Sequence, residues 1–436
     1  MRRALSFEQT PDISVPFRFF LSAPLFALLA ALLLAWVGPD GFISRWSPPV
    51  LAMTHLLTLG FLAMTMAGAL MQILPVVAGA VVPRATLVAK YVHLLLCMGV
   101  LLLAGAFLGY TPILFGAAAV ALLGGLGLLA GAAAVGLWRS GERSVTVTSI
   151  RFALAGLVTA LILGASLAVA FMRPVGWPLL SLLDLHAAWG LLGWIAMLVF
   201  GVAFQVIPMF QVTPLYPPLF SRVFGGVLFC LLVAWSIAHF ALPGLEFAMA
   251  ALLACVAAAA GGVTLYLLAK RKRPTADVTT LYWRCSMLSL VTCTGVWFFP
   301  AFGQAGAHAL LLGILFIVGF AVSAVNGMLY KIVPFLVWYH LQERAHEKTL
   351  ERADGKRPAL PSVKQILPDQ VAQRQFYLHL AALLVLLVSV FWPAPWLRTA
   401  AVLFGLSFGF LWLNLYRAVA QYRAIRWNAP LCAVGL

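Results

Sequence analysis

The stretch 54-THLLTLGFLAMTMAGALMQILP-75 decides how the whole chain is read. It is apolar and long enough to cross a bilayer, which takes about 20 residues of helix. Yet it opens with an imidazole, His55, and closes on Pro75. Its core, 60-GFLAMTMAGALMQILP-75, recurs as 193-GWIAMLVFGVAFQVIP-208 and as 319-GFAVSAVNGMLYKIVP-334. The shared pattern is glycine-aromatic, six residues, glycine, three residues, Gln or Lys, Ile or Val, any residue, proline. The copies lie 133 and 126 residues apart. A fixed period of this kind marks a repeated structural unit.

Composition sets the class. Of 436 residues, 64% are hydrophobic and 9% charged, with mean hydropathy +1.03. Soluble domains carry about 25% charged residues, so the chain reads as an integral membrane protein. The net charge of +16 points to basic inner loops rather than to nucleic acid. Six cysteines (97, 230, 255, 285, 293 and 432) are scattered singly, with no C-x-x-C pair, and read as small apolar helix residues. The start of the chain carries acids and a proline before its first apolar run, unlike a cleavable signal. That run is therefore expected to be a retained helix.

Apolar runs punctuated by glycine and proline predict twelve membrane-spanning helices. They cover about 17–37, 49–80, 86–109, 111–138, 147–171, 179–210, 222–241, 244–270, 279–300, 305–336, 374–393 and 396–420. The repeat falls on spans two, six and ten. This predicts one polytopic, all-α membrane domain over 1–436, made of three pseudo-symmetric four-helix units at about 17–138, 147–270 and 279–420. With the N-terminus inside, the outer loops hold only Arg45, Arg173 and Arg398. The inner segments hold Arg2, Arg3, the run KRKR at 270–273 and a polar insertion at 340–374. Lys and Arg accumulate on the cytoplasmic side. Both termini are thus expected in the cytoplasm and the chain in a bacterial-type inner (plasma) membrane. His340 and His346, in the insertion, read as solvated.

Within the repeat, glycine allows helices to approach closely in lipid. Proline can stop or kink a helix. Gln72, Gln205 or Lys331 can satisfy freed backbone groups or reach the interface. None of this carries chemistry. The histidines do: His55, His186 and His308 each precede the first glycine of a copy, by five, seven and eleven residues. One such histidine reads as an interfacial side chain bonded to a loop. Three at matching places read as functional, because ionisable groups inside a membrane are costly. Imidazole ligates haem iron and copper. Aligned helices would separate His55 and His308 by about 9 Å in depth, so depth favours His55–His186 or His186–His308 as pairs. His239 ends span seven near the depth of His186. His93 and His379, on spans three and eleven, read as structural.

Twelve spans, a fourfold helical period and histidines on spans two, six and ten resemble the haem–copper oxidase subunit I superfamily. In texture the chain is also similar to NnrS-type haem- and copper-containing membrane proteins. That likeness rests on Phe17-Arg18-Phe19-Phe20 and on the His…Gly-Phe…Gly…Pro second span. The resemblance implies low-spin haem b held by His55 and His308. It also implies a remnant metal site, possible for copper, at His186 with His239. The departures are clear: span seven lacks a His-His pair, 185-LHAAWGLLGW-194 lacks the tyrosine of an H-x3-Y pattern, and span ten has one histidine. A complete oxygen or nitric-oxide reductase centre is therefore not expected.

The functional expectation is a haem-binding membrane protein in electron transfer, nitric-oxide handling or respiratory metal-centre maintenance. Its partners would be the bilayer and a respiratory subunit or periplasmic electron carrier. Two other classes compete, a secondary transporter and a non-catalytic scaffold or assembly subunit. The transporter class is disfavoured by the four-helix period and by the scarcity of acids in the spans, where Asp184 and Glu246 lie near outer ends. The charge asymmetry predicts that a reporter fused after residue 273 is active only on the cytoplasmic face and one fused after residue 175 only on the outer face. The opposite pattern would invert the orientation.

Overall fold

The computed structural model describes residues 11–299, 305–351 and 360–427. Arg2, Arg3, Cys432 and positions 352–359 of the polar insertion lie outside them. All regular structure among the described residues is helical. The long helices are α1 (Ser14–Val37), α2 (Pro48–Ala78), α3 (Ala85–Gly109), α4 (Pro112–Ser140), α5 (Val145–Met172) and α6 (Leu179–Gln211). They continue as α7 (Pro218–Ala241), α8 (Pro243–Ala269), α9 (Val278–Phe298), α10 (residues 305–351), α11 (Asp369–Ser389) and α12 (Pro393–Trp427).

Eleven of these are long and apolar enough to cross a membrane. The exception is α9, whose 21 residues include Thr279, Thr280, Arg284, Ser286, Ser289 and Thr294. Thr279, Thr280, Ser286, Ser289 and Thr294 are buried, and two of them bond to α10 carbonyls. Thr279 Oγ1 donates to the Gly327 carbonyl at 3.1 Å and Ser286 Oγ to the Phe320 carbonyl at 2.8 Å. Burial against protein, rather than lipid, tolerates that composition. A second difference concerns the insertion. The helix of span ten does not end near 336 but runs on to Glu351, past Pro334. The residues beyond 336 are good helix formers with no glycine until 355, and His340 pairs with Glu343 one turn on, at 3.1 Å. A short capped helix, Val363–Ile366, then leads into α11.

Consecutive helices pack on one another, and α12 packs back on α1, so the bundle closes. Trp412 Nε1 on α12 donates to the Leu21 carbonyl of α1 at 3.1 Å. Burial separates two classes of helix. In the most apolar windows of α2, α6 and α10, 72–78% of residues are buried, against 33–50% in the other eight spans. The three repeat helices are the inner helices.

Their glycines explain why. The first glycine of each copy leaves no room for a methyl group. A Cβ on Gly60 would lie 2.6 Å from Phe26, and one on Gly319 would lie 2.6 Å from Ser289. Gly193 faces Gly156 so closely that a Cβ on Gly156 would meet the Gly193 carbonyl oxygen at 2.2 Å. The second glycines behave alike: Gly68 against Phe19, Gly201 against Ser149 and Gly327 against Tyr282, at 2.6–2.8 Å. The facing residues sit on α1, α5 and α9 and are seven apart on each helix. That is about two turns, so one stripe of each outer helix receives both glycines.

Around the first glycine, each inner helix widens to π geometry: Leu56–Ala63, Trp189–Ala196 and Ile314–Val322. Such segments are rare and concentrate at functional sites. The prolines Pro75, Pro208 and Pro334 stay inside their helices. Lys331 meets Asp277 at 3.4 Å, whereas the buried Gln72 amide has no protein partner among the described residues. The seating predicts that Gly156→Ala lowers stability by about 1–3 kcal/mol through overpacking, read as a lower denaturation midpoint in detergent. Gly190→Ala, on the π segment that Gly156 faces and with open space around it, should leave that midpoint in place.

Candidate functional site

Between the inner helices, at the end of the bundle that carries the histidines, lies a cavity of about 1100 Å³. His55, His186 and His308 all line it. Its wall is largely apolar. Phe107 of α3 lies against the His55 ring at 5.3 Å, and Phe115 and Phe171 extend the same aromatic surface across α4 and α5.

Two of the three histidines come together. The ring centres of His55 and His186 are 6.2 Å apart, with planes inclined by only 17°. That is too far for face-to-face contact. In separation alone it equals two imidazoles that share one metal ion, each nitrogen at about 2.0–2.1 Å, which places ring centres roughly 6–6.5 Å apart. Local structure sets the available nitrogen. His55 Nδ1 lies 2.7 Å from the Leu51 carbonyl, one turn back on α2. His186 Nδ1 lies 3.0 Å from the Ala160 carbonyl of α5. A carbonyl only accepts, so each Nδ1 carries the proton and each Nε2 keeps its lone pair. A backbone acceptor behind the ring is the usual support of a metal-ligating histidine.

His308 lines the same cavity in a different state. Its Nε2 donates to the Val296 carbonyl at 3.0 Å, leaving Nδ1 with the lone pair. Among the described residues it has no ring contact of the His55–His186 kind. His239 Nδ1 pairs with Glu246 at 2.7 Å and its ring packs on Trp235 and Phe240. Its neighbour is thus a carboxylate, and His186 takes His55. His93 bonds Ser22 at 2.8 Å and buried His379 bonds Ser323 at 2.9 Å, both away from the cavity. Among the described residues no group of three or more His, Cys, Asp or Glu side chains is placed to hold a metal ion. Haem, unlike a centre of several side chains, needs only two protein ligands.

Two cavity features have no sequence signal of their own. Trp194, just after the first glycine of its copy, lines the cavity, is 4% exposed, and its Nε1 has no protein acceptor among the described residues. The segment Ser44-Arg45-Trp46, between α1 and α2, also lines the cavity. Arg45 reaches Asp184 at 3.0 Å, two residues before His186, and its guanidinium stacks 3.9 Å above the Trp46 ring. Both acids expected near span ends, Asp184 and Glu246, are thus paired.

Comparison of the chain with protein-family models and with curated proteins finds no match. The Arg45 and Asp184 side chains are 44% and 34% exposed. Exposed ion pairs contribute little, so Asp184→Asn should cost under about 1 kcal/mol, measured as a denaturation midpoint within a few degrees of the parent protein.

Proposed function

We propose that this protein is a b-type haem protein of the membrane, with His55 and His186 as the axial ligands of one haem. The observation that carries the reading is the His55–His186 pair: 6.2 Å between ring centres, near-parallel planes, and both Nε2 lone pairs left free by backbone acceptors. The residues fit the group. The cavity has room for a macrocycle, its aromatic and aliphatic walls suit a porphyrin face, and its polar groups are few. Bound there, haem supplies one-electron redox chemistry and ligation of small gases. The chain supplies the rest: α2 and α6 hold the ligands, α5 fixes the His186 ring through Ala160, and Phe107 backs the His55 ring.

In this reading α9 also spans the membrane, giving twelve spans with both termini inside and three four-helix units. The matching glycine seats on α1, α5 and α9 support it. The histidine end then faces outward, where an external electron carrier has access. The axial partner of His55 is His186, not the His308 that the family resemblance implies. His308 becomes a third imidazole of the same cavity, beside rather than on the metal. Electron transfer or nitric-oxide handling follows from such a site more directly than transport does, since both acids near the span ends are occupied by partners.

The test is optical. Purified protein, reconstituted with haemin if isolated without it, should show a Soret band and split reduced α/β bands. His55→Ala and His186→Ala should each remove the six-coordinate spectrum. Gly164→Leu should do the same with both histidines still present, because even a Cβ at Gly164 would lie 3.0 Å from His186 Cε1 and push the ring aside. His308→Ala should retain it. A folded protein that binds no haem would refute the reading, and loss with His308→Ala but not His186→Ala would restore the other pairing.

A further inference from the structure

Among the described residues that line the cavity, Arg45 is the one cation, and the haem reading gives it no role. We infer that Arg45 is the anchor for the carboxylates of the porphyrin edge, and that Asp184 holds its place while the cavity is empty. The inference rests on the haem reading and deepens it.

Three observations support the assignment. First, position: Ser44, Arg45 and Trp46 line the same cavity as His55 and His186. Arg45 also reaches α6 at Asp184, only two residues from the ligand His186. A macrocycle held between the two imidazoles would occupy the cavity whose wall includes the segment carrying Arg45. Second, chemistry: haem b is apolar except for two propionate carboxylates on one edge. A guanidinium binds carboxylates through paired N–H donors. The Arg45–Asp184 bridge is a single-contact form of that interaction, Nη2 to Oδ1 at 3.0 Å, with a protein carboxylate in place of the ligand's. Third, energetics: the bridge is more than one-third exposed at both ends, so exchanging Asp184 for another carboxylate costs little. Trp46 steadies the guanidinium by stacking at 3.9 Å, whichever carboxylate is bound.

The arrangement also implies a direction of loading. The segment between α1 and α2 is tied to α6 through this bridge. A porphyrin entering from that end displaces Asp184 from Arg45, and its carboxylates take over the tie. Asp184 is thus a competitor that weakens binding, while Arg45 strengthens it.

The test compares haemin with haemin dimethyl ester, which has the same ring and iron but no carboxylate charge. Each is titrated into haem-free protein in detergent and followed by the Soret band. Parent protein should prefer the free acid. Arg45→Gln should weaken free-acid binding roughly tenfold and leave the ester unchanged. Asp184→Asn should tighten free-acid binding by a few-fold, again without effect on the ester. Arg45→Lys, which keeps the charge, should retain most of the preference, so a general folding defect is told apart from loss of the anchor. Equal weakening of both ligands by Arg45→Gln, or no weakening of either, overturns the assignment even if haem binds. If parent protein binds neither ligand, the haem reading itself fails and this inference falls with it.

Discussion

The close seating of glycine against a neighbouring helix is the constraint on which this structure depends. In lipid there is little hydrophobic drive for helices to associate, so contact distance and complementarity decide the packing. Gly68, Gly201 and Gly327 admit Phe19, Ser149 and Tyr282 at distances no larger residue permits; Gly60 and Gly319 do the same seven residues further along the partner helix, and at Gly193 the close approach depends on Gly156 of the partner. This draws α2, α6 and α10 to the inside and leaves the other helices around them. The proline end of the bundle is knitted by side-chain bonds such as Lys331–Asp277. The histidine end remains open enough to enclose the large cavity.

The π segments connect that packing to the site. Each inner helix changes its winding around its first glycine, between the tightly seated part and the part bearing the histidine. A change of winding re-aims every side chain beyond it. His55 adjoins its segment and His186 stands three residues before its own, and these two rings converge. His308 stands six residues before its segment and turns to the Val296 carbonyl instead. Carbonyl acceptors then choose the tautomers. In a membrane interior an imidazole without such a partner is costly, so the bonds that stabilise these side chains also leave their Nε2 atoms free.

Much of this was legible in the sequence. The helix positions follow from apolar runs and their glycine and proline breaks. The inner helices follow from the threefold repeat, because the pattern of close-packing residues is itself the packing signal. Counting residues from Gly60 and Gly193 put His55 and His186 at similar depth, and the structure brings those two together, whereas the remote family likeness favoured His308. The length of α10 was misjudged because loss of apolarity ends a membrane span but not a helix. The polar face of α9 reads as weakness until Ser286 and Thr279 are seen to bond α10 carbonyls. The π segments, Trp194 and the Arg45–Asp184 tie were not legible at all. Winding and contacts between residues 139 positions apart leave no local pattern.

The central claim is that one haem iron is held between His55 and His186 with the imidazole planes close to parallel, 17° apart. Low-temperature electron paramagnetic resonance of the oxidised, haem-loaded protein tests it most directly, because that signal depends on the angle between the two axial rings. Near-parallel planes predict a rhombic low-spin spectrum that disappears in His186→Ala and survives in His308→Ala. A high-spin signal in the parent protein, or the strongly anisotropic low-spin signal of perpendicular imidazoles, would contradict the account.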